Sequence, residues 1–397
     1  MRPIEIAENV FWVGAVDWNL RDFHGYQTEK GSTYNAFLIK GEKTVLIDTV
    51  KADFADRFLQ NLSTIIEPSK IDYIVANHAE MDHSGSLPKV IAAVKPEKLF
   101  CTTKGQQTLE AHLNCEGWPF APVKEGDLLE LGGKTIEFIG SPMLHWPESM
   151  VSHIREDNIL ISNDIFGQHW ATAERFDDEV DRGELHFQAA KYYANIFLPM
   201  SAGMRKFLTK LEKKGITPAM LATDHGLIWR KDVAGIMEKY RDWSEQKTNA
   251  KAVIVYDTMW GSTATMANAI ADGIRGDGGV SVSVHDLRYN HRSDIITEIL
   301  DAKAVVIGSP VLNKNILPKM ADLLTYMKGL APSGKIGAAF GSYGWQDTIV
   351  KRLNEMMTEM KIDVIDDGVS VNYVPKPDDL ARCIALGVKI REAILQH

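Results

Sequence analysis

The chain has 397 residues, 45% of them hydrophobic and 24% charged, with a formal net charge of −9. That length suits two or three domains of about 150 residues, and the composition excludes a disordered or fibrous chain. The acidic balance argues against nucleic acid as a partner, and no apolar run approaches the roughly 18 residues of a membrane span. Residues 1–10 carry acids where a signal peptide would have its apolar core. Cys101, Cys115 and Cys383 are scattered and form no C-x-x-C, which excludes zinc ribbons, an internal rubredoxin centre and ferredoxin clusters. A soluble, cytoplasmic protein is the expectation.

The first 245 or so residues mix strands with helices. Residues 11–16, 35–39 and 43–48 read as an antiparallel meander, and 71–76 as a buried strand running into His78. Then comes His78-Ala-Glu-Met-Asp-His83, with four metal-capable side chains in six residues. In an extended segment alternate residues point the same way, so His78, Glu80 and Asp82 can converge. Standing alone, such a motif competes with a plain solvated polar loop. Three more polar residues shift the balance: His145 after a strand over 135–139, Asp164 closing a strand over 158–162, and His225 closing a third near 220–225. A lone histidine at a strand end is more often a hydrogen-bonded core residue than a ligand, but three such residues beside the cluster make poor accidents. Polar residues 241–249 read as the linker between domains at 1–249 and 250–397.

Beyond the linker the pattern is regular. Strands over 252–256, 280–284, 304–308 and 336–340 alternate with helical stretches, and a strand near Val369 and a helix over 377–395 close the series. That alternation predicts a doubly wound parallel sheet of five βα units, with ligands at the carboxyl ends of its strands. The first such loop is Thr258, Met259, Trp260, Gly261, Ser262 and Thr263. It offers hydroxyls, a glycine and helix N-terminal N–H groups suited to a phosphate, without the G-K-[ST] of a Walker A loop. A simple Ser/Thr N-cap is the plain alternative. Two further loops weigh against it: Ser309, Pro310, Val311, Leu312, Asn313, Lys314 and Asn315, then Gly341, Ser342, Tyr343, Gly344 and Trp345, the latter with aromatics able to stack on a flat ring. No G-x-G-x-x-G follows the first strand, so NAD is disfavoured.

The order H-x-E-x-D-H, then His145, Asp164 and His225, resembles the metallo-β-lactamase fold, whose hydrolytic members carry H-x-H-x-D-H. Here Glu80 replaces the second histidine. The loop at 258–263 resembles the flavodoxin phosphate loop T-x-T-G-x-T, departing at Trp260, and the two later loops resemble those that bracket a flavodoxin's isoalloxazine. Together, and with residues 20–26 and His145-Trp-Pro147, they make the whole chain resemble the flavodiiron protein family. The chemistry of Glu80 agrees: zinc hydrolases favour nitrogen-rich sites, whereas an added hard anionic oxygen favours iron. Half the ligand set is carboxylate, which suits a pair of metals about 3.5–4 Å apart.

The resemblance implies an α/β plus α+β chain: an N-terminal metallo-β-lactamase-like αββα sandwich, then a C-terminal flavodoxin-like, doubly wound, parallel five-stranded sheet. It implies one iron on His78, Glu80 and His145, a second on Asp82, His225 and His83, and Asp164 bridging. His24 and Tyr193 would line the diiron pocket, and FMN would occupy the three loops. It further implies reduction of dioxygen to water or of nitric oxide to nitrous oxide. Lacking C-x-x-C, the chain would take electrons from rubredoxin or another small donor, and would act as a head-to-tail homodimer or dimer of dimers. A lactamase-fold hydrolase with an accessory flavin domain, a deazaflavin-dependent oxidase of the same family and a non-catalytic electron carrier remain open alternatives. Tyr26, His169 and the acid run 177–181 carry little weight by themselves.

Overall fold

The computed structural model describes residues 2–396, in two compact units. The first comprises Met1–Tyr193 and Ala202–Arg241, the second Ala194–Ser201 and Asp242–His397.

Two sheets form the first unit. A seven-stranded sheet runs in the order Ile4–Ala7, Val10–Trp12, Phe37–Ile39, Val45–Ile47, Tyr73–Val75, Lys98–Thr102, Phe120–Val123; its first four strands are antiparallel and the rest parallel. A five-stranded sheet follows: Leu128–Glu130, Thr135–Gly140, Met150–Ile154, Ile159–Ile161 and Met220–Ala222. The two-residue period of a strand decides which side chains meet. Phe37, Ile39, Val45 and Ile47 join Phe138, Ile154, Ile159 and Ile161 in one core between the sheets. Leu38 and Leu46, at the positions between, turn outward onto Phe58, Leu62, Val90 and Val94 of the helices Ala55–Ser63 and Leu87–Val94. The expected meander is therefore present, and the two sheets face each other through an apolar core.

The second unit is a parallel sheet in the order Ser281–Asp286, Asn249–Tyr256, Ala302–Pro310, Ile336–Tyr343. The fifth position is shared by two short strands, Asp363–Val364 and Val369–Asn372, which pair with successive parts of Ile336–Tyr343. Helices Ser262–Arg275 and Pro377–Leu395 cover one face through Met266, Ile270, Ile274, Leu386 and Ile390. Within the expected linker, 241–244 are helical: Val233–Ser244 is a helix whose Tyr240 is fully buried, and only four residues separate it from the strand Asn249–Tyr256. Its buried face overrides the polar composition.

One buried charge in this sheet has a pH signature. Lys335 is 2% exposed, and its Nζ donates to the Leu300 carbonyl at 2.9 Å. Burial, opposed by Asp301 and aided by Lys303 and Lys251, lowers its pKa to about 7. The unfolded chain, with an ordinary lysine, therefore binds more protons than the folded one from about pH 7 to pH 10, so stability rises with pH across that window. Urea unfolding should show a midpoint that climbs from pH 7 to pH 9.5. The Lys335→Met variant should flatten the climb and gain on the order of 4 kcal/mol near pH 7. An unchanged slope in the variant refutes the assignment.

Candidate metal centre and flavin site

At the open end of the sandwich, each strand delivers one element of a polar cluster. His78 follows Tyr73–Val75, and Asp82 and His83 lie on the single turn Met81–Ser84. His145 follows Thr135–Gly140, Asp164 follows Ile159–Ile161 and His225 follows Met220–Ala222. Polar staples pin three of these four strand ends. Asp48 accepts from the Asn77 backbone at 2.7 Å and its amide at 2.9 Å, holding the turn before His78. Asn163 donates to the Met150 carbonyl and accepts from the Asp224 N–H, fixing the segments on either side of Asp164 and His225. Asn35 accepts from the Trp12 indole at 2.7 Å and donates to the carbonyls of Thr223 at 2.6 Å and Gly226 at 3.0 Å, locking the His225 loop.

The side chains converge in two groups around Asp164. Its Oδ2 lies 3.0 Å from His145 Nε2 and 3.3 Å from His78 Nε2, with Glu80 Oε2 at 3.2 Å and 3.3 Å from the same two nitrogens. Its Oδ1 lies 3.2 Å from His83 Nε2 and 3.5 Å from His225 Nε2, with Asp82 Oδ2 at 3.4 Å and 3.1 Å. All seven expected positions are thus brought together, and the His83 ring faces the cluster. His24, its side chain 79% exposed, places Nε2 3.7 Å from the outer Glu80 oxygen. Tyr193 is buried edge-on against Tyr240, while the neighbouring Tyr192 contacts the rings of His169 and His225. His169, bonded through Nδ1 to Ser32, is held well below the usual histidine range by burial and by His225.

The donor set fits cations. His78 Nδ1 lies 2.9 Å from Glu148 Oε1, and His225 Nδ1 lies 2.6 Å from the Thr33 carbonyl. Each Nδ1–H is therefore engaged, and each Nε2 lone pair is aimed inward. His83 Nε2 and His225 Nε2 face one another at 3.2 Å. The buried oxygens Asp82 Oδ1, Asp82 Oδ2 and Asp164 Oδ1 accept no hydrogen bond. Burial opposes the ionised form of Glu80, yet His145 and His78 lower its pKa to about 2. Burial likewise opposes a charged His145, yet Asp164 and Glu80 raise it to about 9. The cluster calls for positive charge, supplied by protons or by metal ions.

In the second unit, the three expected loops surround a cavity of about 550 Å³. Thr258, Met259, Trp260 and Ser262 line it from the first loop, Pro310, Val311, Leu312, Asn313 and Lys314 from the second, and Ser342, Tyr343, Gly344 and Trp345 from the third. Gln346 and Tyr373, which sequence reasoning missed, complete the wall. Gly261, at φ 93°, is the N-cap of Ser262–Arg275, and no side chain caps this helix. Its first N–H groups thus remain for a ligand anion. Gly341 allows the close approach of strands, since a Cβ there would lie 2.3 Å from the Ser309 carbonyl. Thr263 and Ser309 are buried, with Thr263 Oγ1 3.5 Å from Ser342 Oγ and Ser309 Oγ donating to the Pro310 carbonyl.

The fold and these two sites define a lactamase-type sandwich fused to a flavodoxin. Residues 32–226 match the family described as ODP family beta lactamase, and residues 254–387 match Flavodoxin. The nitric oxide reductase of Moorella thermoacetica is 44% identical over 99% of this chain and 99% of its own length. The rubredoxin oxygen:oxidoreductase structure from Desulfovibrio gigas superposes with a TM-score of 0.97 at 42% identity, covering 100% of this chain and 99% of that one. The flavodiiron protein of Giardia intestinalis superposes at 0.96 with 34% identity, covering 100% and 97%. This chain belongs to the flavodiiron protein family.

The Asn35 staple carries a stability prediction. Removing its amide strands the buried Trp12 indole N–H and two carbonyls, so Asn35→Ala should cost on the order of 3 kcal/mol in urea unfolding. A loss below about 0.5 kcal/mol contradicts the staple, since such a value is typical of surface substitutions.

Proposed function

We propose that this chain is a flavodiiron oxidoreductase that reduces dioxygen to water or nitric oxide to nitrous oxide, with FMN in its second domain and two irons in its first. The observation that carries the reading is the placement of Asp164, whose two oxygens face separate groups of ligand-type side chains at 3.0–3.5 Å. In this assignment His78, Glu80 and His145 would hold one iron and Asp82, His83 and His225 the other, with Asp164 shared between them. When bound, the iron pair and the flavin supply the electrons that the diatomic substrate takes up. A fused flavodoxin favours this redox reading over a hydrolase.

The chain's own residues do the rest. The strand ends hold the six terminal ligands rigid, and the apolar core behind them excludes water from one side of the centre. His24 Nε2 stands 3.7 Å from Glu80 at the exposed edge, where it would meet a ligand entering the centre. In the second domain, the N–H groups and hydroxyls at Ser262 and Thr263 would hold the FMN phosphate, and Trp345 and Tyr343, which line the cavity, would offer faces to its ring. The domains are assigned to 1–249 and 250–397. All three cysteines are free; the donor proposed for this chain is rubredoxin or another small electron carrier, as the name of its Desulfovibrio gigas relative suggests. Among the described residues no helix is long and apolar enough to cross a membrane; a cytoplasmic location fits the reducing surroundings that free thiols need.

Anaerobically purified protein should contain two irons and one FMN per chain. Asp164→Ala should abolish gas consumption while the donor still reduces the flavin. Stoichiometric zinc without iron overturns the diiron reading, and near wild-type turnover by Asp164→Ala overturns the bridge.

Fast delivery of successive electrons is met by a head-to-tail homodimer in which the flavin of one chain serves the metals of its partner. Two-fold dimers are the commonest oligomers, and the family resemblance points to this pairing. Mixing Asp164→Ala chains with chains carrying Ser262→Ala and Thr263→Ala should restore activity in the purified heterodimer. An inactive heterodimer places the transfer within one chain, and an active monomer ends the idea.

A further inference from the structure

Glu148 lies outside the ligand set, 2% exposed, in the turn after His145. Its Oε1 is 2.9 Å from His78 Nδ1 and 3.1 Å from the Ala79 N–H, which donates to it. Its Oε2 is buried and has no hydrogen-bond partner. The Thr102 hydroxyl donates to its backbone carbonyl at 2.9 Å, anchoring the residue to the seven-stranded sheet. This is a whole carboxylate held behind one imidazole. The other half of the centre is built differently: His225 is backed by the neutral Thr33 carbonyl at 2.6 Å, and His83 Nδ1 lies 3.7 Å from Asp224, beyond hydrogen-bond reach.

We propose that Glu148 is a positioning residue that fixes the His78 ring and strengthens its Nε2 as a donor, so that the metal held by His78, Glu80 and His145 favours the higher oxidation state more than its neighbour does. A charge-assisted hydrogen bond is about twice as strong as a neutral one and passes electron density through the ring to the opposite nitrogen. The Thr33 carbonyl orients His225 without adding charge. The two metals are thereby made inequivalent by groups that touch neither. This inference rests on the metal-centre reading above.

The test compares full-length, flavin-loaded wild type with Glu148→Gln and Glu148→Asp. Glutamine keeps the shape and an oxygen for both donors but removes the charge; aspartate keeps the charge and shortens the side chain. Midpoint potentials come from redox titration followed by electron paramagnetic resonance, and metal affinity from competition of zinc ion against a chelator. Glu148→Gln should lose at least tenfold of the preference for ferric over ferrous iron, an upward shift of about 59 mV or more for a one-electron couple. It should also bind zinc about 10–100-fold more weakly, and Glu148→Asp should stay closer to wild type in both readouts. The reverse order, with the isosteric glutamine nearer wild type, shows that Glu148 only fills space and overturns the proposal, as does a glutamine variant unchanged in both readouts. If the glutamine variant retains too little iron for titration, the order of zinc affinities decides alone. A wild-type protein that takes up neither iron nor zinc instead removes the metal-centre reading itself.

Discussion

Burying carboxylates at the mouth of an apolar sandwich is the constraint on which the first unit depends. Glu80, Asp82 and Asp164 lie within 3.5 Å of imidazole nitrogens, with Glu148, Asp224 and Asp48 buried behind them. An uncompensated buried charge costs several kcal/mol. The outer members meet that cost in different ways. Burial and the neighbouring Asp48 and Asp164 push Asp224 well above the ordinary carboxyl range, toward its neutral form. Asp48 is raised to about 6 by burial despite its two bonds to Asn77. At the centre, however, the imidazoles keep the carboxyls ionised, so the cluster favours cations as partners. The two-sheet architecture makes this possible because strands ending side by side bring distant acids together with little loop to order.

How much of this could be read from the sequence depended on locality. The cluster from His78 to His83 is contiguous, and each of its later partners closes an apolar strand, so the alternation of burial betrays them. The flavin loops were legible for the same reason, each following a strand of a regular βα series. Glu148 gave no such signal: it sits in a polar turn, and its partner is 70 residues away. Asn35 likewise acts through a pairing fixed only when the two sheets face each other, and Asp48 through one fixed only when Val45–Ile47 and Tyr73–Val75 become neighbours in one sheet. Tyr373 reaches the flavin cavity because a short strand, Val369–Asn372, returns beside Ile336–Tyr343, a register that composition does not encode, whereas Gln346 directly continues the third loop. The helical end of the supposed linker escaped because Trp243 is buried within a segment, 241–249, whose other residues are all polar or charged.

The six residues around Asp164 also explain why one glutamate in place of a histidine matters. Glu80 and His145 are the least enclosed of the set, and Glu80 approaches His78 and His145 with one oxygen and His24 with the other. It therefore joins the buried charge network to the exposed edge. A histidine in its place would lower the negative charge of the His78 group and remove that link to His24. The substitution thus alters both the metal preference and the polar access to the centre.

The second unit solves the opposite electrostatic problem. An acidic chain with net charge −9 must bind a cofactor that is itself an anion. Lys314 is the one cation among the residues lining its cavity. The attraction for a phosphate must then come from the uncapped N-terminus of Ser262–Arg275, whose N–H groups carry partial positive charge without a titrating side chain. A neutral donor array holds its polarity at any pH at which the fold survives, and it adds no full charge to the cavity wall. The aromatic walls contribute area instead of charge: Trp260 is 95% exposed and Trp345 86% exposed, leaving large flat faces for a ring to cover. Phosphate recognition by backbone and ring recognition by stacking thus divide the work, and neither depends on the protein's overall charge.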